Sequence, residues 1–130
     1  QQEQPEDFVI ATGVTTTIRD FIRMAFGEVG VELEFKGEGA KEVGLIAKST
    51  NPQFPLEAGK EVVCIDERYF RPTEVDLLLG DPTKAMTKLG WQPKYDLVAL
   101  VKEMVSADID LFRRDQLLEQ GGHRVMNYYE

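Results

Sequence analysis

The segment Val31-Glu32-Leu33-Glu34-Phe35 alternates apolar and charged side chains residue by residue. Successive side chains of a β-strand point to opposite faces, so this period of two predicts a strand with one buried and one solvated face. The glycines that follow it, Gly37 and Gly39, predict where that strand ends. The other predicted elements are arranged on either side of this segment.

A helix is predicted immediately before that strand. Apolar residues recur at helical spacing over residues 16–29, and charged residues occupy the opposite side. Threonines 15–17 predict its N-cap, and Gly30 predicts its C-terminal stop. Further towards the N-terminus, Phe8–Thr12 is a short β-rich run that we expect to form a buried strand. The order strand, helix, strand indicates an α/β protein.

Two further strands are predicted at residues 43–48 and 62–66. The loop between them, residues 51–59, contains prolines and a glycine, and its role is open. Residues 74–79 are compatible with a short strand or with an extended segment.

Two helices are predicted in the last third of the chain. Asp81-Pro82-Thr83-Lys84 predicts the start of a short helix, with Asp81 as N-cap, that ends at Gly90. Trp91 follows as an apolar anchor. Asp96 predicts the N-cap of a long helix, whose apolar residues keep the 3.6-residue period at Leu97, Leu100, Val101, Met104, Val105, Ile109 and Phe112. We therefore expect a small mixed α/β domain of short strands and helices over residues 1–130, with residues 118–130 as a frayed tail.

Composition limits the kinds of partner. Hydrophobic residues make up 42% of the chain, which is enough for a core without disulfides or a metal. The 15 basic and 23 acidic residues give a net charge of −8, which argues against nucleic acid or an anionic membrane as partner. No apolar stretch approaches the ~20 residues of a membrane span. The single cysteine, Cys64, lies in an apolar run and is expected to be a buried thiol, a usage that fits a reducing cytoplasm.

Catalytic chemistry has little support in this sequence. It contains no G-x-G-x-x-G stretch for a dinucleotide, and no tyrosine is followed by a lysine four residues later. One histidine and one cysteine cannot form a zinc site, and His123 is expected to be solvated. We therefore predict no catalytic, cofactor-binding or metal-binding residue in this chain.

One segment, Arg71-Pro72-Thr73-Glu74, is suited to binding a nucleotide. Pro72 restricts its own φ and the conformation of Arg71, which favours an extended segment with Arg71 and Glu74 facing one cleft. A guanidinium can bind phosphate oxygens in a bidentate way, and a carboxylate can accept hydrogen bonds from a ribose diol. The same two residues could instead form an ion pair that ties a loop to the domain.

Several separated segments together resemble the C-terminal part of GDP-mannose 4,6-dehydratases, members of the extended short-chain dehydrogenase/reductase group. Their order and spacing match over nearly the whole chain, although residues 51–59 and the tail after residue 117 carry little of the match. The segments are Asp7–Gly13, Arg19–Phe21, Tyr69–Val75, Leu79–Ala85 and Leu89–Trp91.

The resemblance implies a substrate-binding lobe that packs on an N-terminal Rossmann domain, which binds NADP and carries the catalytic residues. In that family a hydride leaves C4 of the mannose unit, water is lost across C5 and C6, and the hydride returns to C6. GDP-mannose becomes GDP-4-keto-6-deoxymannose, a precursor of fucose. By similarity Arg71 would contact the diphosphate and Glu74 would hold the guanosine ribose; Arg19 matches without an assigned role. A cytoplasmic homo-oligomer is implied, and this part alone is expected to be inactive.

Two other functions remain open at this stage. The chain could be the substrate domain of another nucleotide-sugar epimerase or reductase of the same group, because binding a diphosphate does not determine the reaction that follows. It could also be a non-catalytic nucleotide-binding module.

Overall fold

The fold was described from a computed structural model, which describes residues 2–71, 73 and 78–125. A 3-10 turn at Gly39–Lys41 separates the first two strands. In chain order the helices and strands are α1 (Ile18–Glu28), β1 (Val31–Lys36), β2 (Val43–Ser49), β3 (Glu61–Cys64), α2 (Thr83–Leu89) and α3 (Leu97–Gln120). The predicted small mixed α/β domain is thereby confirmed.

The three strands form one antiparallel sheet in the order β1-β2-β3. Leu33 pairs with Ile46 in the first ladder, and Val43 pairs with Cys64 in the second. The outward side chains of β1 alternate with more buried ones, and Val31 is almost fully buried. The half-buried strand predicted from the period of two is therefore confirmed, because one face of the sheet is covered and the other faces solvent.

Helix α1 packs against β1 and α3. Its N-cap is Thr17, whose hydroxyl accepts a hydrogen bond from the Asp20 backbone N–H at 3.1 Å. No residue of α1 is fully buried, and Ile18 is 78% exposed. The apolar face of the helix is thus only partly covered within the described part of the chain.

The two later helices begin and end close to where the sequence predicts. Helix α2 begins at Thr83 with Pro82 as its N-cap, one position after the predicted Asp81; the Asp81 carboxylate still accepts from the Thr83 backbone N–H at 2.9 Å. It ends at Gly90, whose φ of 63° is a conformation that glycine adopts without strain. Asp96 caps α3 by accepting from the Ala99 N–H at 2.8 Å.

Helix α3 buries less of its apolar stripe than its period predicts. Val101 is almost fully buried, whereas Leu100, Met104 and Phe112 are 42%, 45% and 58% exposed. The helix continues through Gln120, so the first three residues of the predicted frayed tail are helical. Trp91, predicted as an apolar anchor, is half-buried.

Two further sequence predictions are wrong. Phe8–Thr12 is not a strand, and Val9 and Ile10 are more than half exposed. A strand requires a backbone partner, and within the described residues this segment is held against its neighbours by side chains. Cys64 is exposed instead of buried, because it ends β3, which lies at the edge of the sheet. The segment 74–79 lies largely outside the described residues.

Candidate functional site

A cleft of about 610 Å³ lies where the first turn of α1 faces the end of β3 and the turn that follows it. Its polar and charged lining residues are Thr17, Arg19, Glu42, Asp66, Tyr69 and Arg71, and its apolar lining residues are Ile18, Ile22, Phe35, Val63, Ile65 and Phe70. The cleft therefore combines two guanidinium groups with aromatic side chains.

Arg71, the cation predicted to bind a diphosphate, lies in the wall of this cleft. Its predicted partner in nucleotide binding, Glu74, lies outside the described residues, as does Pro72. The structure thus places one of the two predicted site residues in a concave surface. The role of both residues stays a prediction.

Arg19, on the first turn of α1, lines the same cleft. Its guanidinium lies 2.5 Å from Glu42 Oε1 through Nη2, and its Nε donates to the same oxygen at 2.8 Å. The guanidinium carbon also lies 5.7 Å from the centre of the Phe35 ring, a cation–π distance. These contacts fix the orientation of Arg19 while leaving about half of its side chain exposed.

A second fixed pair includes Asp66 from the lining of the cleft. Arg68 donates from Nε and Nη2 to the Asp66 carboxylate at 3.1 Å and 2.6 Å, and its backbone N–H donates to Asp66 Oδ1 at 2.9 Å. The hydrogen bonds from the Arg68 side chain, followed by the one from its backbone, lower the pKa of Asp66. The Tyr69 N–H donates to the Asp66 carbonyl at 3.0 Å, so the turn that leads to Arg71 is hydrogen-bonded at several points.

This arrangement is suited to holding an anion. Arginine provides planar sets of N–H donors that match phosphate oxygens, and Arg19 and Arg71 approach one cleft from two different parts of the chain. Glu42 and Asp66 balance part of the positive charge in the free protein. Tyr69, which is 78% exposed, and Phe70 supply aromatic faces beside the cations.

The described residues do not fit a dinucleotide cofactor. Such cofactors bind at the carboxyl ends of parallel strands, at the start of the helix that follows. All the strand pairs of the described sheet are antiparallel. Over residues 2–71, 73 and 78–125 there is also no group of three or more histidine, cysteine or acidic side chains that could hold a metal ion.

A second concave surface, the apolar groove, lies between the segment before α1 and the start of α3. It has a volume of about 750 Å³ and includes Ile18 and Phe21 from α1 and Leu97, Val98 and Leu100 from α3. Ile18 lies at the border of the groove and the charged cleft. Within the described part of the chain, no helix has the length and apolarity needed to cross a membrane.

Sequence reasoning left Arg19 without a role and did not identify Glu42 as its partner. The two residues are 23 positions apart and meet only because α1 packs against the sheet that contains β2. The charged side of α1 predicts that Arg19 is exposed, but it does not predict which cleft Arg19 lines.

A small α/β domain with two arginines facing a cleft has the features of an anion-binding domain. A family model described as GDP-mannose 4,6 dehydratase matches residues 1–104. The chain belongs to this family. It is 48% identical over 126 residues to the GDP-mannose 4,6-dehydratase of Vibrio cholerae, covering 96% of this chain and 34% of the relative.

Eukaryotic relatives give the same result. The chain is 49% identical over 113 residues to the GDP-mannose 4,6 dehydratase of Dictyostelium discoideum, covering 87% of this chain and 29% of the relative. It is 43% identical over 113 residues to that of Homo sapiens, covering 87% of this chain and 28% of the relative. The chain thus spans about a third of the length of the curated relatives it matches.

Proposed function

We propose that this chain is the nucleotide-sugar-binding part of a GDP-mannose 4,6-dehydratase. The complete enzyme is a lyase that converts GDP-mannose to GDP-4-keto-6-deoxymannose with NADP as cofactor, a step towards GDP-fucose. The observation that carries this proposal is that Arg71, in a segment with a nucleotide-binding pattern, lines one cleft together with Arg19. Family membership supports the dehydratase over an epimerase, a reductase or a non-catalytic binding module.

In this proposal the charged cleft receives the diphosphate of the substrate. Arg71 donates hydrogen bonds to the phosphate oxygens, and Arg19 is held by Glu42 with one edge open to the same anion. Glu74 accepts hydrogen bonds from the guanosine ribose. The chain's contribution is binding and orientation, which position the sugar for chemistry carried out by other residues of the enzyme.

The catalytic residues and the NADP site belong, in this proposal, to an N-terminal Rossmann domain that covers part of the exposed apolar surface. That surface includes Ile18 and Val98, which are 78% and 58% exposed in the apolar groove. Exposed apolar residues grouped in one concave surface support a surface that is buried in an interface. The complete enzyme is proposed to be a cytoplasmic homo-oligomer, and this chain alone is proposed to be inactive.

The proposal is tested with Arg71→Ala by calorimetric titration with GDP and, in parallel, with guanosine. Loss of a charge-assisted contact should weaken GDP binding by about 2 kcal/mol, or about 30-fold, and leave guanosine binding almost unchanged. Arg71→Lys should restore part of the affinity because the positive charge remains.

Arg114→Ala is the matched control. It removes the same charge from α3, where Arg114 pairs with the neighbouring Asp115 away from the lining of the cleft. If Arg71→Ala binds GDP as tightly as Arg114→Ala does, Arg71 is not part of the nucleotide site. Failure of the unsubstituted chain and of the complete enzyme to bind GDP would overturn the proposed function as a whole.

A further inference from the structure

Gly80 lies in residues 78–81, which touch residues 9–15 of the chain. A methyl group at Gly80 would lie 2.6 Å from Ala11 Cβ and 3.3 Å from Val9 Cγ1. Gly80 is not among the glycines with positive φ, so space, and not backbone conformation, disfavours a larger residue there. Because Ala11 Cβ is attached directly to the backbone, it cannot move aside as a long side chain can.

Polar contacts join these segments, and the residues next to them, on both sides of Gly80. The Thr15 hydroxyl donates to the Leu78 carbonyl at 3.1 Å. At the other end, Lys84 donates from Nζ to the Asp7 carbonyl at 2.9 Å. Glu6 forms ion pairs with Lys84 and Lys88 at 3.0 Å and 2.8 Å, and the hydrogen bonds from Lys88, then Lys84, lower its pKa.

Both segments lie close in sequence to arginines of the charged cleft. Residues 9–15 run into the N-cap Thr17 and then into Arg19, four positions after Thr15. Residues 78–81 begin seven positions after Arg71. A contact between the two segments therefore joins the part of the chain that carries one cleft arginine to the part that carries the other.

We propose that residues 9–15 and 78–81 form a strap that sets the separation of Arg19 and Arg71 across the cleft, and that Gly80 is a positioning residue for diphosphate binding. The identity of the ligand in this inference rests on the proposed function. The contact between residues 9–15 and 78–81 does not depend on it. Two guanidinium groups bind one diphosphate well only at a matching separation, so a strap forced apart at Gly80 weakens binding although Gly80 touches no ligand.

The test uses five variants of the whole chain, of which the first four are Gly80→Ala, Ala11→Gly, the double variant that carries both, and Gly27→Ala. The double variant moves one methyl group from one segment to the other, which relieves the closest contact. Gly27→Ala is the control, because a methyl group at Gly27 in α1 would meet nothing within 4 Å. Thr15→Val is a milder fifth variant that removes only the hydrogen bond to Leu78.

The first measurement is GDP affinity. Gly80→Ala should weaken GDP binding by roughly fivefold or more, Thr15→Val less, and Gly27→Ala not measurably. Ala11→Gly combined with Gly80→Ala should recover most of the affinity. A Gly80→Ala chain that binds GDP normally, or a double variant that binds as weakly as Gly80→Ala, would overturn the strap.

The second measurement is amide hydrogen exchange without ligand, which separates this inference from the proposed function. Gly80→Ala should accelerate exchange of the hydrogen-bonded amides of Asp20 and Tyr69 beside the cleft, and the double variant should reverse the change. The Ile46 amide, which donates to the Lys60 carbonyl at 2.9 Å in the sheet, should be unaffected.

An increase that includes Ile46 indicates general destabilisation and overturns the strap, as does no change at Asp20 and Tyr69. If the unsubstituted chain binds no GDP, the proposed function is lost and the exchange result alone decides the strap. If the chain binds GDP and only the exchange prediction fails, the strap is lost and the proposed function stands.

Discussion

The charged cleft and the apolar groove meet at Ile18, but their linings have opposite chemistry. The cleft contains Arg19 and Arg71, and its two carboxylates, Glu42 and Asp66, pair with Arg19 and with Arg68. The groove is lined mainly by aliphatic and aromatic side chains from the start of α1 and the start of α3. An α-helix turns about 100° per residue, so the neighbouring residues Ile18 and Arg19 can serve surfaces of different kinds.

The difference between these surfaces shows how one short helix, α1, can contribute to ligand binding and to packing. Few, well-oriented donors are needed to hold an anion, and Arg19 is oriented by Glu42 and Phe35. Burial of an apolar surface depends on the area covered more than on the exact orientation of each side chain, because the hydrophobic effect has no preferred direction. Substitutions in the cleft should therefore change ligand affinity, and substitutions in the groove should change association.

The largest effect expected from this comparison concerns Arg19. Arg19→Ala should weaken GDP binding by about 1.4 kcal/mol, or tenfold, because it removes a charge-assisted contact from a guanidinium that Glu42 also engages. Arg23→Ala is the matched control: Arg23 lies one helical turn later and also stacks on Phe35, at 5.0 Å, but it is not in the cleft lining. Calorimetric titration with GDP compares the two variants.

Equal losses of affinity in Arg19→Ala and Arg23→Ala would contradict a separate role for the charged cleft. They would show that the arginines act through the general charge of α1 or through packing on Phe35, and not through the cleft. Measuring each variant at two salt concentrations separates these outcomes, because long-range effects of charge are screened by salt.

Local sequence patterns predicted most of the helices and strands, whereas features that depend on distant contacts were predicted poorly. The alternation in β1 and the caps Thr17 and Asp96 act over a few residues, and the structure confirms them. Phe8–Thr12 has a strand-like composition, but no strand forms without a backbone partner. Cys64 lies in an apolar run, but its exposure is decided by the position of β3 at the sheet edge.

The candidate site shows the same division. Arg71 could be singled out because Pro72 and Glu74 follow it in the sequence and the surrounding segments resemble a known family. The contact between Arg19 and Glu42 could not be predicted, because it depends on how α1 packs on the sheet. The sequence therefore identified a ligand-binding segment but not the residues that complete its cleft.

A smaller effect is expected in the apolar groove. Ile18→Ser should change the free energy of unfolding by less than about 0.5 kcal/mol, because Ile18 is 78% exposed in the isolated chain. The same substitution should reduce self-association of the chain, measured by sedimentation velocity, since it interrupts the exposed apolar surface. Leu117→Ser is the control, because Leu117 is 69% exposed on α3 and outside the groove lining.

Self-association that is equally sensitive to Leu117→Ser would mean that the groove is not a distinct contact surface. A chain that stays monomeric at high concentration without any substitution would be a stronger contradiction. In that case the exposed residues of α1 and α3 would be ordinary scattered surface residues.

The smallest effect expected is a pH dependence that belongs to the cleft and not to the groove. The hydrogen bonds from Arg68 lower the pKa of Asp66 in the folded chain. A carboxyl group with a lowered pKa stabilises the fold above its ordinary range and loses that contribution as the pH falls through its folded value, here below about pH 4. The gain is small because Asp66 and Arg68 are solvent-exposed, and screening by water weakens such pairs.

Carbon-detected NMR titration of the Asp66 carboxyl measures this effect directly. Its midpoint should lie below the ordinary aspartate range and move up towards it in Arg68→Gln, which removes the charged donor. Asp20 provides an internal reference, because the Thr17 hydroxyl is the largest contributor to lowering its pKa, and its midpoint should not respond to Arg68→Gln. If the Asp66 midpoint is unchanged in Arg68→Gln, the pair does not hold the turn before Arg71 in solution. The orientation of that side of the cleft would then depend on other contacts, among them the hydrogen bond from the Tyr69 N–H to the Asp66 carbonyl.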